Sequence, residues 1–386
     1  MITEAVLALS TVATWGASAQ PVGPAAPDLT YRLAVHTSAG GSDLRIRLTN
    51  AYGESPLAVG HAFVGTRRGG AAVAGNRPLS FGGSASVTIP AGGTLWSDPL
   101  PGTVPARSDL LVSLSITGGP ATATGHGMAM QTSYLATGDH SADQGAAAFT
   151  RQTGSWFYLD SISVRARTGT VAVLGDSITD GWQSTMDKNN RWPDYLARRL
   201  AAAPGLGLTG VVNEGISGNK VLADGAGDSA LKRLDRDVLS QPGLRTVILF
   251  EGVNDLKGDN GATAAGLVAG YRQIIARAHA AGVCVVGATV LPFQGWGEWT
   301  PAAEQVRQQV NAFVRTGGEF DATVDLDAAL RSPYDPTRLF PPFDGGDHIH
   351  PNDKGMMAIA DAVDLRALRC APMPMPYPMG GPGLAG

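Results

Sequence analysis

The chain has 386 residues, 16% of them charged, and its 29 Lys and Arg against 33 Asp and Glu leave a net charge of −4. That length suits about two domains with separate cores, and mild acidity without a Lys/Arg run excludes the electrostatic footprint of a nucleic-acid binder. No stretch reaches the roughly 20 continuous apolar residues of a membrane-spanning helix.

The first segment, Met1 to Gln20, ends in Ala17-Ser18-Ala19, the small-residue pattern of an export-signal cleavage site, yet it carries Glu4 and no Lys or Arg. Without a basic start it reads as domain sequence. Localisation stays open, with secretion or a periplasmic location slightly favoured, in which case a native signal could have been removed.

Residues 1–165 are predicted to form an all-β, jelly-roll-like sandwich. Leu29, Tyr31, Leu33 and Val35 alternate with other residues, as do Leu44, Ile46 and Leu48, then Leu110, Val112, Leu114 and Ile116. A period of two marks strands with one buried face. Turn signals such as Ala39-Gly40-Gly41-Ser42 and Pro90-Ala91-Gly92-Gly93 separate them.

From residue 166 to 370 the texture becomes apolar runs alternating with helical patterns. Strands are predicted at Val171–Leu174, Val211–Asn213, Thr246–Glu251, Val283–Thr289 and Thr323–Leu326. Helical faces carry Tyr271, Ile274, Ile275 and Ala278, and later Val306, Val310, Phe313 and Val314, with Thr300-Pro301 as a helix start. This implies a doubly wound, three-layer α/β fold that binds ligands beyond the carboxyl ends of its parallel strands. Residues 371–386, mainly Pro, Met and Gly, are expected to be a disordered tail. Neither Cys284 nor Cys370 has the spacing of a metal knuckle or redox pair, and both read as idle thiols.

Three motifs fall at those strand ends: Gly175-Asp176-Ser177-Ile178-Thr179, Gly252-Val253-Asn254-Asp255 and Asp347-His348-Ile349-His350. A serine hydroxyl becomes a nucleophile when a base takes its proton and a third group orients the base. Ser177, His350 and Asp347 suit those roles, the three-residue spacing letting Asp347 reach Nδ1 while Nε2 faces the serine. Taken alone, the pentapeptide equally fits a helix cap. Gly227-Asp228-Ser229 repeats the tripeptide ahead of the helical run Leu231–Leu239, where no strand precedes it and a cap is expected.

Acyl transfer also needs donors aimed at the oxyanion. The candidates are the Ser177 backbone N–H, Gly218 after the second strand and the Asn254 side chain; an Asn-Asp turn is the alternative for Asn254. Asp347, His348 and His350 could be metal ligands, but neighbours in a short loop rarely converge, so neither metal nor cofactor is expected. His36, His61, His126 and His140 read as surface or satisfied core histidines, and His279 as a helix C-terminal charge. Phe293, Trp296 and Trp299 after the fourth strand are candidates for a substrate pocket or a self-packed lid. Trp182, Arg191 and Trp192 are assigned to packing at the domain seam.

On these residues the segment 168–369 resembles the SGNH, or GDSL, hydrolase superfamily, in a bacterial branch that carries an N-terminal β-sandwich. The matches are Ser177 in Gly-Asp-Ser, Gly218 in Ser-Gly-Asn, Asn254 in Gly-x-Asn-Asp, and Asp347-x-x-His350. The resemblance implies a flavodoxin-like sheet, a metal-free Ser-His-Asp mechanism, and an oxyanion hole from Ser177, Gly218 and Asn254. The expectation is a carboxylic ester hydrolase acting on short-chain acyl or aryl esters through an acyl-enzyme on Ser177. The alternatives are a carbohydrate O-deacetylase that grips glycan with the β-domain, and a glycan-binding protein with a silent hydrolase fold. The expected partner is a small-molecule or glycan ester. As a base, His350 should titrate near the unperturbed ~6.5 or above it if Asp347 stays ionised.

Overall fold

The structure, a computed structural model, describes residues 8–24, 26–258 and 261–370. The tail expected at 371–386 lies outside those residues. Within the segment read as domain sequence, Ser10–Gly16 is a strand paired antiparallel with Leu159–Ala166.

The first half is built from antiparallel sheets. One orders Ser10–Gly16, Leu159–Ala166, Gly41–Thr49 and Thr94–Trp96; the other orders Arg151–Thr153, Ser133–Thr137, Leu29–His36, Asp109–Gly118, Leu57–Gly69 and Ala72–Pro78. A third, small sheet holds Trp156–Phe157, Thr122–His126 and Gln20–Pro24. Leu33, Val35, Val112 and Leu114 from the larger sheet meet Ile46, Leu48, Ile162 and Val164 from the first in one apolar core, which defines a β-sandwich. The alternation read from the sequence sets the inward face of Leu29–His36, but the opposite face is covered too. Arg32 is buried there, donating to the carbonyls of Ala71 and Asp143, with the Phe149 ring 3.8 Å from its guanidinium.

The second half has five parallel strands: β1 (Gly169–Gly175), β2 (Leu208–Gly215), β3 (Leu244–Phe250), β4 (Cys284–Ala288) and β5 (Ala322–Val324). Their order is 2-1-3-4-5, the flavodoxin-like arrangement whose ligand crevice opens between β1 and β3. Alternate side chains feed opposite faces. Ala172, Leu174, Val247 and Leu249 pack with Leu267, Tyr271, Ile274 and Val310, whereas Val171, Val173, Ile248 and Phe250 pack with Trp192, Leu196, Met356 and Ile359. Burial on both faces explains the continuous apolar strands.

The helices are α1 (Ser177–Asp180), α2 (Trp192–Ala201), α3 (Ala230–Arg233), α4 (Val253–Leu256), α5 (Ala264–Ala280), α6 (Pro301–Thr316), α7 (Leu326–Leu330) and α8 (Asp353–Ala362). Thr300 caps α6 as its Oγ accepts from the Ala303 N–H at 3.0 Å. One expectation needs correction. The strand predicted to reach Leu326 stops at Val324, because Asp325 accepts from the Ala328 N–H and starts α7. Ser229 stands at the N-cap of α3, the position expected of it, though it makes no side-chain cap bond, and Asp228 pairs with Lys232 at 2.6 Å and Arg236 at 2.8 Å.

The sandwich docks on the outer edge of β2. Ala17 bridges Asn213 in parallel, and the Ser38 hydroxyl accepts from the Val211 N–H at 2.8 Å, so the edge strand's polar groups are covered. At the amino end of the sheet, the sulfurs of Cys284 and Cys370 and a carboxylate oxygen of Asp321 lie within 4.8 Å of one another, a convergence that spacing alone did not reveal. His279, at the end of α5, bonds the same Asp321 at 2.8 Å.

Candidate active site

β1 ends at Gly175, the chain turns, and Ser177 opens α1. The Asp176 carboxylate caps that helix by accepting from the Ile178 N–H at 3.0 Å. As the first helical residue, Ser177 has no helical acceptor for its own N–H. Its side chain is largely enclosed, with the residue 6% exposed. Burial pushes the Asp176 carboxyl up to about 6.

The Ser177 hydroxyl lies 2.8 Å from His350 Nε2, and His350 Nδ1 lies 2.7 Å from Asp347 Oδ2. Asp347 Oδ1 also accepts from the backbone N–H groups of His350 at 2.9 Å and Ile349 at 3.2 Å. One carboxylate thus shapes the turn and orients the ring at its end, which is what the three-residue spacing permits. These bonds hold Asp347 below the usual carboxylate range against the opposing effect of burial. His350 is lowered by burial, with a smaller push from Lys257, and the pull of Asp347 does not reverse it. The upward shift expected from sequence is therefore corrected to a downward one. His348, in the left-handed region at φ +70°, turns to Asp344 at 2.7 Å and does not join the other two.

Gly218 sits in the turn after β2 at φ +81°, where an L side chain would be strained. Its neighbours are pinned from three directions. Asp180 Oδ2 accepts from the Ser217 N–H at 2.9 Å and hydroxyl at 2.8 Å, Asn254 Nδ2 donates to the Asn219 carbonyl at 2.8 Å, and Asp255 accepts from the N–H groups of Val221 and Leu222. Ser177, Gly218 and Asn254 are thereby joined through α1, one turn and α4. Orienting the Asn254 amide uses one of its two N–H donors.

Of the aromatic candidates, Trp296 sets its ring edge-on to His350 at 5.9 Å, with the Lys257 ammonium 4.7 Å from its centroid. Trp299 packs half-buried beside it. Phe293 is 0% exposed in the core beneath and has no accessible surface to give a pocket. Gly295, at φ +111°, lets this loop lie on the His348 ring, where a Cβ would come within 2.8 Å.

Trp182 is corrected from the domain seam to the site: it is 46% exposed and meets the His350 ring at 6.4 Å. The Trp182 N–H donates to the Ser177 carbonyl at 3.0 Å in the turn that closes α1, which brings the ring back beside the serine's helix. Trp192 is also not at the seam; it is buried against Phe250 at 6.3 Å. Arg191 is at the seam, 5.8 Å from the Trp156 ring and paired with Asp194 at 2.7 Å. Gln183 and Lys257, beside Asp347 and Trp296, stood in no motif.

A serine, an imidazole and a carboxylate thus stand in hydrogen-bonded sequence at the carboxyl end of a flavodoxin-like sheet in an α/β protein. Residues 173–358 match the GDSL-like lipase/acylhydrolase family. No curated protein matches the chain.

Solved structures similar to the chain include an aryl esterase from M. smegmatis (17% identity, 50% of this chain and 96% of that one, TM-score 0.42). A carbohydrate acetylesterase from Sinorhizobium meliloti shows 17% identity over 50% of this chain and 96% of its own, with TM-score 0.41. An acetylxylan esterase from Geobacillus stearothermophilus shows 24% identity over 52% of this chain and 94% of its own, with TM-score 0.40. Among the described residues no helix is long and apolar enough to cross a membrane.

Proposed function

We propose that the protein is a carboxylic ester hydrolase whose nucleophile is Ser177. The observation that carries this reading is the continuous hydrogen-bond chain from the Ser177 hydroxyl through His350 to Asp347, at 2.8 and 2.7 Å. Ser177 Oγ attacks the ester carbonyl carbon as His350 Nε2 takes its proton. The oxyanion accepts hydrogen bonds from the N–H groups of Ser177 and Gly218 and the amide of Asn254. The tetrahedral intermediate collapses to an acyl-serine while His350 protonates the departing alcohol. Water activated by the same imidazole then releases the acid, and no cofactor enters the cycle.

The finer reading is a short acyl group on an aryl or sugar alcohol. Trp182 and Trp296 flank the imidazole, and planar rings suit an aromatic or pyranose face. The O-deacetylase alternative draws on the same two rings, and acetate release from acetylated xylan compared with nitrophenyl acetate separates the two substrate classes. The assembled chain supports an enzyme over a silent hydrolase fold. Hydrolysis of nitrophenyl acetate is the primary test: Ser177→Ala should lower kcat by about 10⁴-fold or more. Equal rates in wild type and variant would remove Ser177 as nucleophile.

A further inference from the structure

His126 lies in the strand Thr122–His126 of the β-rich half, yet its ring is buried against α1 of the other half. Nε2 stands 2.9 Å from Asp180 Oδ1 and 3.1 Å from the Met128 carbonyl; Nδ1 stands 3.0 Å from the Ser18 carbonyl. Every one of these partners is an acceptor. A neutral imidazole has one N–H, so only the doubly protonated ring satisfies both sides. Burial opposes that charge, but the Asp180 carboxylate and the two carbonyls together raise His126 above the ordinary histidine value. The ring is held in place by Trp156, 5.6 Å away, whose own N–H donates to the Ala34 carbonyl at 2.7 Å.

Asp180 is the last residue of α1, three positions after Ser177, and its second oxygen holds both the N–H and the hydroxyl of Ser217. Ser217 immediately precedes Gly218. We propose that His126 is a positioning residue for the oxyanion side of the site, anchoring Asp180 so that the helix bearing Ser177 and the turn bearing Gly218 keep one fixed separation. The β-rich half then contributes to transition-state geometry as well as to packing. Removal of the cation leaves the buried Asp180 carboxylate with only the Ser217 N–H and hydroxyl as donors, and such a group gains by shifting toward water. That shift loosens its grip on the Ser217 turn. The inference rests on the Ser177 esterase reading given above.

The test compares wild type, His126→Leu, His126→Gln and Ser177→Ala on nitrophenyl acetate, with competent sites counted by a fluorophosphonate that labels the nucleophilic serine. One oxyanion donor is worth roughly 10²–10³ in kcat, so a misplaced donor should cost about 10–100-fold. The expected result for His126→Leu is that loss in kcat per labelled site, with KM within about twofold. Affinity for an alkyl boronic acid, which mimics the tetrahedral state, should fall in parallel. Gln, which can keep one N–H toward Asp180, should recover part of the loss. Unchanged kcat per labelled site, or a change confined to KM, overturns the proposal. Should the Leu variant not fold, the Gln variant decides on the same criteria. An active Ser177→Ala brings down the esterase reading itself; an inactive Ser177→Ala beside fully active His126 variants brings down this inference alone.

Discussion

At the scale of single residues, opposing forces act on the His350 imidazole. Asp347, 2.7 Å from Nδ1, favours the charged ring, while enclosure beside Trp182, Trp296 and Lys257 disfavours it, and enclosure prevails. In its proposed role as base, His350 works only when neutral. Because its folded value is lowered, the neutral form is already dominant at pH ~6.5, the unperturbed histidine value. The profile of kcat/KM against pH should therefore rise through a midpoint below that value and stay level above it, kcat/KM reporting the free enzyme. A midpoint above the unperturbed value would mean that the Asp347 charge outweighs burial.

Among the elements, α1 has the least intrinsic stability, since four residues cannot sustain a helix in isolation. It is held by neighbours: Asn213 Nδ2 donates to the Thr179 carbonyl at 2.7 Å, and Trp192 Nε1 to the Thr179 hydroxyl at 3.3 Å. Beneath it lies Gly215, where a Cβ would come within 2.4 Å of the Asp180 backbone nitrogen. Gly215→Ala should cost about 1–3 kcal/mol in urea unfolding. It should also lower kcat, since the helix it displaces carries Ser177, the proposed nucleophile. Gly225→Ala, with no heavy atom within 4 Å of its Cβ, serves as the control and should stay within ~0.5 kcal/mol. Equal stability of the two variants would show that α1 is not fixed by contact with β2.

For the whole molecule, the junction of the halves converges on Arg233 of α3. Its buried guanidinium donates to the Ser18 hydroxyl and the Glu214 carbonyl at 2.7 Å, the Asn219 side-chain oxygen at 2.9 Å and the Gly175 carbonyl at 3.0 Å. It therefore ties the sandwich, the end of β1, the end of β2 and the Gly218 turn to one point. Around it, burial pushes Glu251 up to about 8 and Glu214 well above the usual carboxylate range, against the opposing pull of Arg233. Arg233→Met would orphan several acceptors at once and should destabilise the fold by about 3–5 kcal/mol, read from the urea midpoint. Lys should not restore it, because a single ammonium cannot reproduce the planar fork. Full rescue by Lys would show that charge, rather than geometry, holds the junction.

What the sequence determined by itself is whatever short-range pattern encodes. Apolar runs marked the parallel strands because both faces of that sheet are covered, period-two runs marked the sandwich, and Asp347-x-x-His350 told of a turn that closes on its own carboxylate. Ser177 stood out because a serine placed directly after an apolar strand run, where a helix opens, is a particular local context. The tertiary structure alone decided the rest. Trp182 became a wall of the site, Phe293 sank into the core, Cys284 met Cys370, and His126 crossed from one half to serve Asp180 in the other. These contacts join residues distant in sequence or depend on which side chain faces the interior. Periodicity and spacing carry no record of such pairings, because they arise only when packed elements bring separate stretches of chain within hydrogen-bonding or van der Waals reach.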